Sequence, residues 1–389
     1  MKQETSEIID IVEKEYKDRF GQIKAMRRCS KCLLPETMPF IEFDNQGVCN
    51  YCKNYKKIEL KGKDKLIEEL EAIRSKDRNK HDCIMTFSGG RDSSYALHYM
   101  KKEMGINPLV YTYDWGMMTD VGIKNMKKMV EILEVEHVLI KADFKKKREN
   151  IRLNINAWLK RPNLGTIPLF MAGDKQYFYY AAKLSKERNL DTVILSENLL
   201  EVTDFKTGFC GVKPKHLKGK KFYALDFLSI LKMILFYGKE YILNPSYINK
   251  SLIDSIGAFG SYYIMPHNLL SLYSYIEWDE EIVEGTLINQ YGWKKAEDTD
   301  TTWRIGDGTA AFYNYLYYTL AGFSEIDTFR SNQIREGKMT REEAMVKVER
   351  ENRPRIESMI WYANVVGFDL LNALNIIHKQ KSLYEKESN

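Results

Sequence analysis

Apolar positions recur at helical spacing from the start of the chain. Ile8, Ile9, Val12, Tyr16 and Phe20 share one stripe and predict an amphipathic helix over 6–20. Pro35, Pro39 and Gly47 interrupt any period across 28–55, which reads as a small loop-rich module. Residues 56–80 are strongly charged and predict a connecting helix. The period then changes. Cys83 to Phe87 is a short apolar run ending in Ser88-Gly89-Gly90, followed by a helical face of Ala96, Leu97, Met100 and Met104. Leu109 to Tyr113 predicts a second strand, ending in Asp114-Trp115-Gly116, with Met126, Met129, Val130 and Leu133 on the next helix. Val138 to Ile140 predicts a third strand, ending near Asp143, and Thr192 to Leu195 a fourth, ending in Ser196-Glu197-Asn198. Residues 144–160 and 173–188 between them read as helices. Strands alternating with helices imply an α/β fold with a doubly wound parallel sheet. Beyond about residue 220 strand signals fade, and a mainly helical region rich in Tyr and Phe follows. Residues 340–379 read there as a helical pair broken at Pro354. The expected organisation is a helix with a cysteine module (1–75), an α/β domain (76–220) and a helical C-terminal region (221–389).

Composition narrows the class. The 389 residues are 44% apolar and 12% aromatic, enough for a large core and too aromatic for bulk disorder. With 59 basic and 54 acidic residues the net charge is +5, too weak a bias to indicate a nucleic-acid partner. Lys145 to Arg148 and Lys218 to Lys221 are short basic runs, ordinarily solvated. Residues 1–20 lack the apolar core of a secretory signal. The longest apolar stretch, Phe222 to Tyr237, contains Asp226 and Lys232 and is too short for a membrane span. A cytoplasmic location is the expectation.

Four of the six cysteines are paired in sequence. Cys29-x2-Cys32 and Cys49-x2-Cys52 have the spacing of a closed four-thiolate zinc site, of structural rather than catalytic type. Such a zinc-ribbon-like module fits a reducing compartment. Cys83 sits in an apolar strand, and Cys210 lies in a glycine-flanked loop.

Ser88-Gly89-Gly90-Arg91-Asp92-Ser93-Ser94 joins a strand to a helix. Two glycines let the backbone turn tightly and present successive N–H groups, while the serines add hydroxyl donors at a helix start that favours anions. The loop matches neither a Walker motif nor Gly-x-Gly-x2-Gly. Donors, hydroxyls and one carboxylate suit a pyrophosphate group, with Asp92 beside a magnesium ion.

This loop resembles the SGGxDS signature of the PP-loop (N-type) ATP pyrophosphatases. That superfamily has an adenine-nucleotide alpha-hydrolase-like fold and includes GMP, asparagine and argininosuccinate synthetases and tRNA-thiolating enzymes. The chain as a whole resembles one branch, the N-acetyl sugar amidotransferases of bacterial surface-polysaccharide (lipopolysaccharide O-antigen) biosynthesis. The likeness covers "RRCSKCLLPETMPFIEFDNQGVCNYC", "TFSGGRDSSYAL" and "DTFRSNQIREGKMTREEA…ENRPR". It implies that ATP adenylates the acetamido oxygen of a nucleotide-activated sugar. Ammonia from a separate glutaminase then displaces AMP to give an acetamidino group. The chain has no N-terminal nucleophilic cysteine, since Cys29 is the first and belongs to a metal pair.

In an open parallel sheet ligands lie beyond the carboxyl ends of the strands. That adds Asp114, Glu197, Asn198 and Asp143 to the loop residues Ser88, Gly89, Gly90, Asp92, Ser93 and Ser94 as candidate ATP-site positions. Helix capping is the alternative for each acid. Arg304, in Trp303-Arg304-Ile305-Gly306-Asp307-Gly308, joins Asp92 and Ser93 as a catalytic candidate because it could neutralise phosphate charge. Lys213, Lys215 and Arg330 are further candidates for anion contact, and His81 and His98 read as structural. The expected cofactors are ATP, Mg2+ and Zn2+, the last on Cys29, Cys32, Cys49 and Cys52. A tRNA-modifying PP-loop enzyme is the alternative function. It is disfavoured because only Cys83 and Cys210 remain for sulfur transfer.

Overall fold

The central strands are mostly apolar, and their alternating side chains enter two different cores. In the computed structural model, which describes residues 2–77, 80–214, 225–264 and 269–385, Cys83, Met85, Phe87 and Val110 pack on one side. Ile84, Leu109, Tyr111 and Tyr113 pack on the other. Because successive residues of a strand face opposite ways, such strands need covering on both faces. Met126, Met129 and Leu133 of the helix Asp120–Leu133 cover one face, and Ala181 and Leu184 of Tyr177–Arg188 cover the other.

Among the described residues five parallel strands form: β1 (Cys83–Thr86), β2 (Pro108–Asp114), β3 (His137–Lys141), β4 (Val193–Leu195) and β5 (Leu269–Ser271), in the order β3-β2-β1-β4-β5. Thr86 pairs with Tyr111, and Met85 with Ile194. The order reverses at β1, so the chain leaves β1 and β4 in opposite directions and opens a crevice beyond their carboxyl ends.

Several boundaries differ from the sequence reading. β5 lies where strand signals had faded, and it carries the sheet past residue 220. It has three residues, too few to show a period. The N-terminal helix runs Lys2–Ala25. The connecting helix spans only Lys63–Ile73, starting at Gly62 with φ +86°. Tight 3-10 turns over Leu164–Gln176, holding Pro168, precede the helix Tyr177–Arg188. The expected C-terminal pair is three helices, Arg341–Glu351, Ile356–Val366 and Leu370–His378. A second stop falls at Gly367, whose φ of +81° ends a helix in the left-handed region. Ile8 and Val12 of the first helix share a core with Ala373, Leu374 and Ile377, so the two ends of the chain pack together.

Candidate active site

The loop after β1 is built from internal hydrogen bonds. The Ser88 amide donates to Ser93 Oγ at 3.2 Å, the two hydroxyls lie 3.0 Å apart, and Ser93 Oγ donates to the Gly90 carbonyl at 3.2 Å. Gly89 has φ +73°, and a Cβ there would lie 2.7 Å from both the Gly122 carbonyl oxygen and Met126 Cβ. Only glycine satisfies both demands. The helix Arg91–His98 starts from Gly90 without a side-chain cap, which leaves its first amides for a ligand.

Ser88, Gly90, Arg91, Asp92 and Ser93 line a cavity of about 1070 Å³ at the switch point. Ser94 is fully buried outside its wall, and its hydroxyl has no partner among the described residues. Asp92 Oδ1 accepts from Trp278 Nε1 at 3.0 Å and from Arg91 Nε at 2.9 Å, and Tyr273 donates to its carbonyl. Arg91, which the sequence reading passed over, is buried between Trp278 and Phe329. It lies 3.2 Å from Glu201 Oε1 and 3.4 Å from Glu280 Oε1. Burial and the nearby Asp92 carboxylate push Glu201 up to about 8. Two carboxylates at one corner of a cavity, one of them raised by the other, form an oxygen donor set that fits a magnesium ion.

The end of β4 forms the adjoining wall. Glu197 accepts from the Tyr177 hydroxyl at 2.7 Å, and burial raises its pKa. Asn198 Oδ1 accepts from the Leu200 amide at 2.9 Å. Its Nδ2 and Ser196 Oγ are buried on the cavity wall without partners among the described residues. Buried donors are ordinarily satisfied, so these two orphans are positions where a ligand acceptor would fit. Asp114 is placed differently: its Oδ1 accepts from the Gly116 amide at 2.8 Å, and its side chain is not part of the wall. Asp143 caps the helix Phe144–Lys160 through the Lys146 amide.

Cations supply the third side. Arg304 adopts φ +46°, unusual for a side chain of that size, and stacks 5.0 Å from the Trp303 ring. It lies 3.3 Å from Glu325 Oε2 and 3.7 Å from Glu201 Oε2. Its Nε nevertheless lacks a well-aligned hydrogen bond, so the pairing is ionic rather than directional. Lys206 pairs with Glu325 Oε1, and the Tyr313 hydroxyl donates to Oε2 at 2.8 Å. Burial pushes the Glu325 carboxyl up, but Arg304 and Lys206 outweigh it and hold it near 2. Lys175, 3.3 Å from Asp174, also lines the cavity. Glu201, Lys175, Lys206 and Glu325 were not singled out from sequence. Isolated charged residues carry no local signal, although Glu325 lies two residues before the motif that holds Arg330.

Other candidates lie elsewhere. Lys213 sits 5.8 Å from the Phe40 ring and off the wall, and Lys215 falls outside the described residues. Arg330 is enclosed, with hydrogen bonds to both oxygens of Glu351 and to Glu280 Oε2. Glu280 thereby joins it to Arg91 and the loop. His98 meets the Tyr291 hydroxyl at 2.6 Å, and His81 meets Glu136 at 3.0 Å. Cys210 lines the cavity, yet burial pushes its thiol up to about 12; burial raises Cys83 as well. Both are poor nucleophiles as placed.

The four paired cysteines converge. Their Sγ atoms lie within 4.8 Å of one another, with Cys29–Cys52 and Cys32–Cys49 each 3.9 Å apart. A tetrahedral zinc with bonds of about 2.3 Å needs sulfur separations of about 3.8 Å, so the donor set fits. Amides of Lys31, Cys32 and Cys49 point at Cys29 Sγ. Arg335 donates to Cys52 Sγ at 3.4 Å and Cys32 Sγ at 3.2 Å, a countercharge for thiolates. Arg335 and Glu325 stand at opposite ends of one helix, Glu325–Glu336, which therefore runs from the cavity to the cysteine cluster.

No protein-family model matches the chain. An uncharacterized protein of Methanocaldococcus jannaschii is 27% identical over 125 residues, 30% of this chain; the match spans 43% of that relative, under half its length. Among solved structures, the NMN synthetase of Francisella tularensis superposes over 60% of this chain and 86% of that one. The identity is 14% and the TM-score 0.25, too low to carry an argument. The α/β assignment therefore rests on the five-stranded parallel sheet itself, with the four-cysteine cluster beside it and helices making up most of the C-terminal region.

Proposed function

We propose that the chain is an ATP-dependent, AMP-forming amidotransferase of the PP-loop superfamily. In this reading it converts the acetamido group of a nucleotide-activated sugar to acetamidino with ammonia from a separate glutaminase. The observation that carries the reading is the meeting, around one cavity, of the Ser-Gly-Gly-Arg-Asp-Ser loop with Arg304, Lys206 and Lys175.

The loop amides and the Ser88 and Ser93 hydroxyls orient the pyrophosphate portion of ATP. Asp92 and Glu201 hold the magnesium ion, which when bound screens phosphate charge. Arg304, poorly satisfied by its own carboxylates, faces the charge that builds as the acetamido oxygen attacks the α-phosphorus and pyrophosphate departs. Asn198 and Ser196 offer their free donors to the nucleoside. Ammonia adds to the imidate carbon, AMP leaves with the former acetamido oxygen, and loss of a proton gives the amidine. Asp114 acts indirectly, fixing the Gly116 turn beside the wall. The zinc module braces the helix that carries Glu325.

The test incubates the protein with ATP, magnesium, ammonium and nucleotide sugars bearing acetamido groups. AMP formation should coincide with a mass decrease of about one unit in the sugar, oxygen being exchanged for NH. ATP–pyrophosphate exchange without any such product, across a panel of these sugars, would reject the substrate class.

A further inference from the structure

The helix Phe227–Leu243 carries apolar residues both on the face it buries and on the face it turns to solvent. Its inner face, with Met233 and Tyr237, closes over the cavity. Its outer face presents Leu228, Leu231, Leu235 and Ile242 at helical spacing to solvent. Phe227 is 76% exposed and Ile242 78%. The neighbouring helix Ser251–Phe259 adds Ile253, 80% exposed, and Ile256. Ile234 and Ile256 are exposed and also line the cavity, so the apolar residues reach the cavity wall. A cluster of exposed aliphatic side chains of this kind marks an interaction site.

Among the described residues of the two helices, the exposed charges on the outer face are lysines. Asp226 caps the helix through the Ser229 amide, Glu240 is buried against Arg161, and Asp254 is buried against Lys147. Lys250 lies 3.6 Å from Glu149. The exposed Lys232 and Lys239 remain, seven residues apart on one edge of the apolar stripe. The acids of both helices are thus engaged at caps or turned inward, and two lysines flank the face. Protein–protein interfaces favour Tyr, Trp and Arg and are depleted in lysine. Leucine and isoleucine bordered by lysines instead suit a lipid surface, where the stems lie along the apolar layer and the ammonium groups reach anionic headgroups. The helix has 17 residues, about 25 Å at 1.5 Å each, and includes Lys232, Lys239 and Glu240. It falls short of a hydrocarbon core of about 30 Å, so it would lie in the interface rather than cross it.

We infer that the outer faces of Phe227–Leu243 and Ser251–Phe259 seat the protein on an anionic membrane surface, with the cavity mouth at the lipid boundary. The inference stands independently of the amidotransferase reading.

Flotation of the full chain with vesicles tests it. Vesicles of phosphatidylcholine with phosphatidylglycerol should carry the protein upward, and phosphatidylcholine alone should do so weakly. The double variant Leu235→Glu, Ile253→Glu alters side chains outside the cavity wall and should lower the partition coefficient about tenfold or more. Lys232→Gln and Lys239→Gln should each lower it about fivefold on anionic vesicles only, and salt should weaken wild-type binding. An unchanged far-UV spectrum and melting temperature for the variants guards against misfolding. Two results overturn the inference: no flotation of the wild-type chain on anionic vesicles, or flotation that the Glu variants retain. If the wild type does not float and instead forms a dimer that Leu235→Glu dissociates, the patch belongs to a second copy and the inference falls.

Discussion

Asp92 is held by its neighbours before any ligand arrives. Trp278 and Arg91 both donate to Oδ1, so an amide oxygen could keep that geometry while losing the charge. Asp92→Asn should therefore fold normally yet lower AMP formation by about 10²-fold or more, as for loss of a preorganised charge. Near-normal turnover with an intact melting curve would remove Asp92 from the chemistry. Gly89 offers a stability test at the same loop. Its positive φ and the 2.7 Å approach to backbone leave no space for a methyl group, so Gly89→Ala should cost about 1–3 kcal/mol. Thermal unfolding measures it, and an unshifted midpoint would contradict the geometry. These residues were legible in the sequence because a strand, two glycines and ordered hydroxyls form one local signal. Glu201, Lys206 and Glu325 were not, because their roles arise from meeting Arg304 and Arg91 across the fold.

At the scale of elements, β1 to β4 follow from short apolar runs, whereas the three-residue β5 does not, and helix ends are set by single residues such as Gly62 and Gly367. Arg330 shows where sequence reasoning stops. A basic residue in a distinctive motif suggests an anion site, but its anions are Glu280 and Glu351, 50 and 21 residues away. Burial raises the Glu280 carboxyl, but Arg330, Arg91 and Lys347 prevail and hold it near 2, below its ordinary value of 4.5. A carboxylate depressed by folding contributes stability above the unfolded value, and that contribution fades as pH falls from about 4.5 toward 2. The melting-temperature gap between wild type and Glu280→Gln should accordingly be widest near neutral pH and narrow below 4.5. A gap that widens in acid would reverse the assignment. The helix Glu325–Glu336 makes a second claim through its far end. Arg335→Gln removes the countercharge beside Cys32 and Cys52, so zinc affinity should fall about 10–100-fold in competition with a chromophoric chelator. An unchanged affinity would make Arg335 a packing residue only.

The whole molecule brings the proposed chemistry to one crevice, but the described residues show no second site that would make ammonia. Under the proposed function ammonia arrives from outside. Ammonium has no lone pair, and only the unprotonated form attacks an imidate. The chain alone should therefore use ammonium salts with a rate that climbs with pH, and it should not use glutamine. A docked glutaminase would deliver ammonia directly and keep water from the adenylate. The N-terminal helix carries an apolar stripe that could dock a partner, yet Ile8 and Val12 are already buried against the C-terminal helices. The cysteine module is likewise pinned on one side by Arg335 and by Arg341, which donates to the Cys29 and Cys32 carbonyls. Under this reading a partner would meet faces that these internal contacts leave open. Adding the cognate glutaminase should confer glutamine-dependent amidine formation at neutral pH, where ammonium alone is least effective. Glutamine-driven product from the purified chain, with contaminating glutaminase excluded by its specific inhibitor, would refute the division of labour.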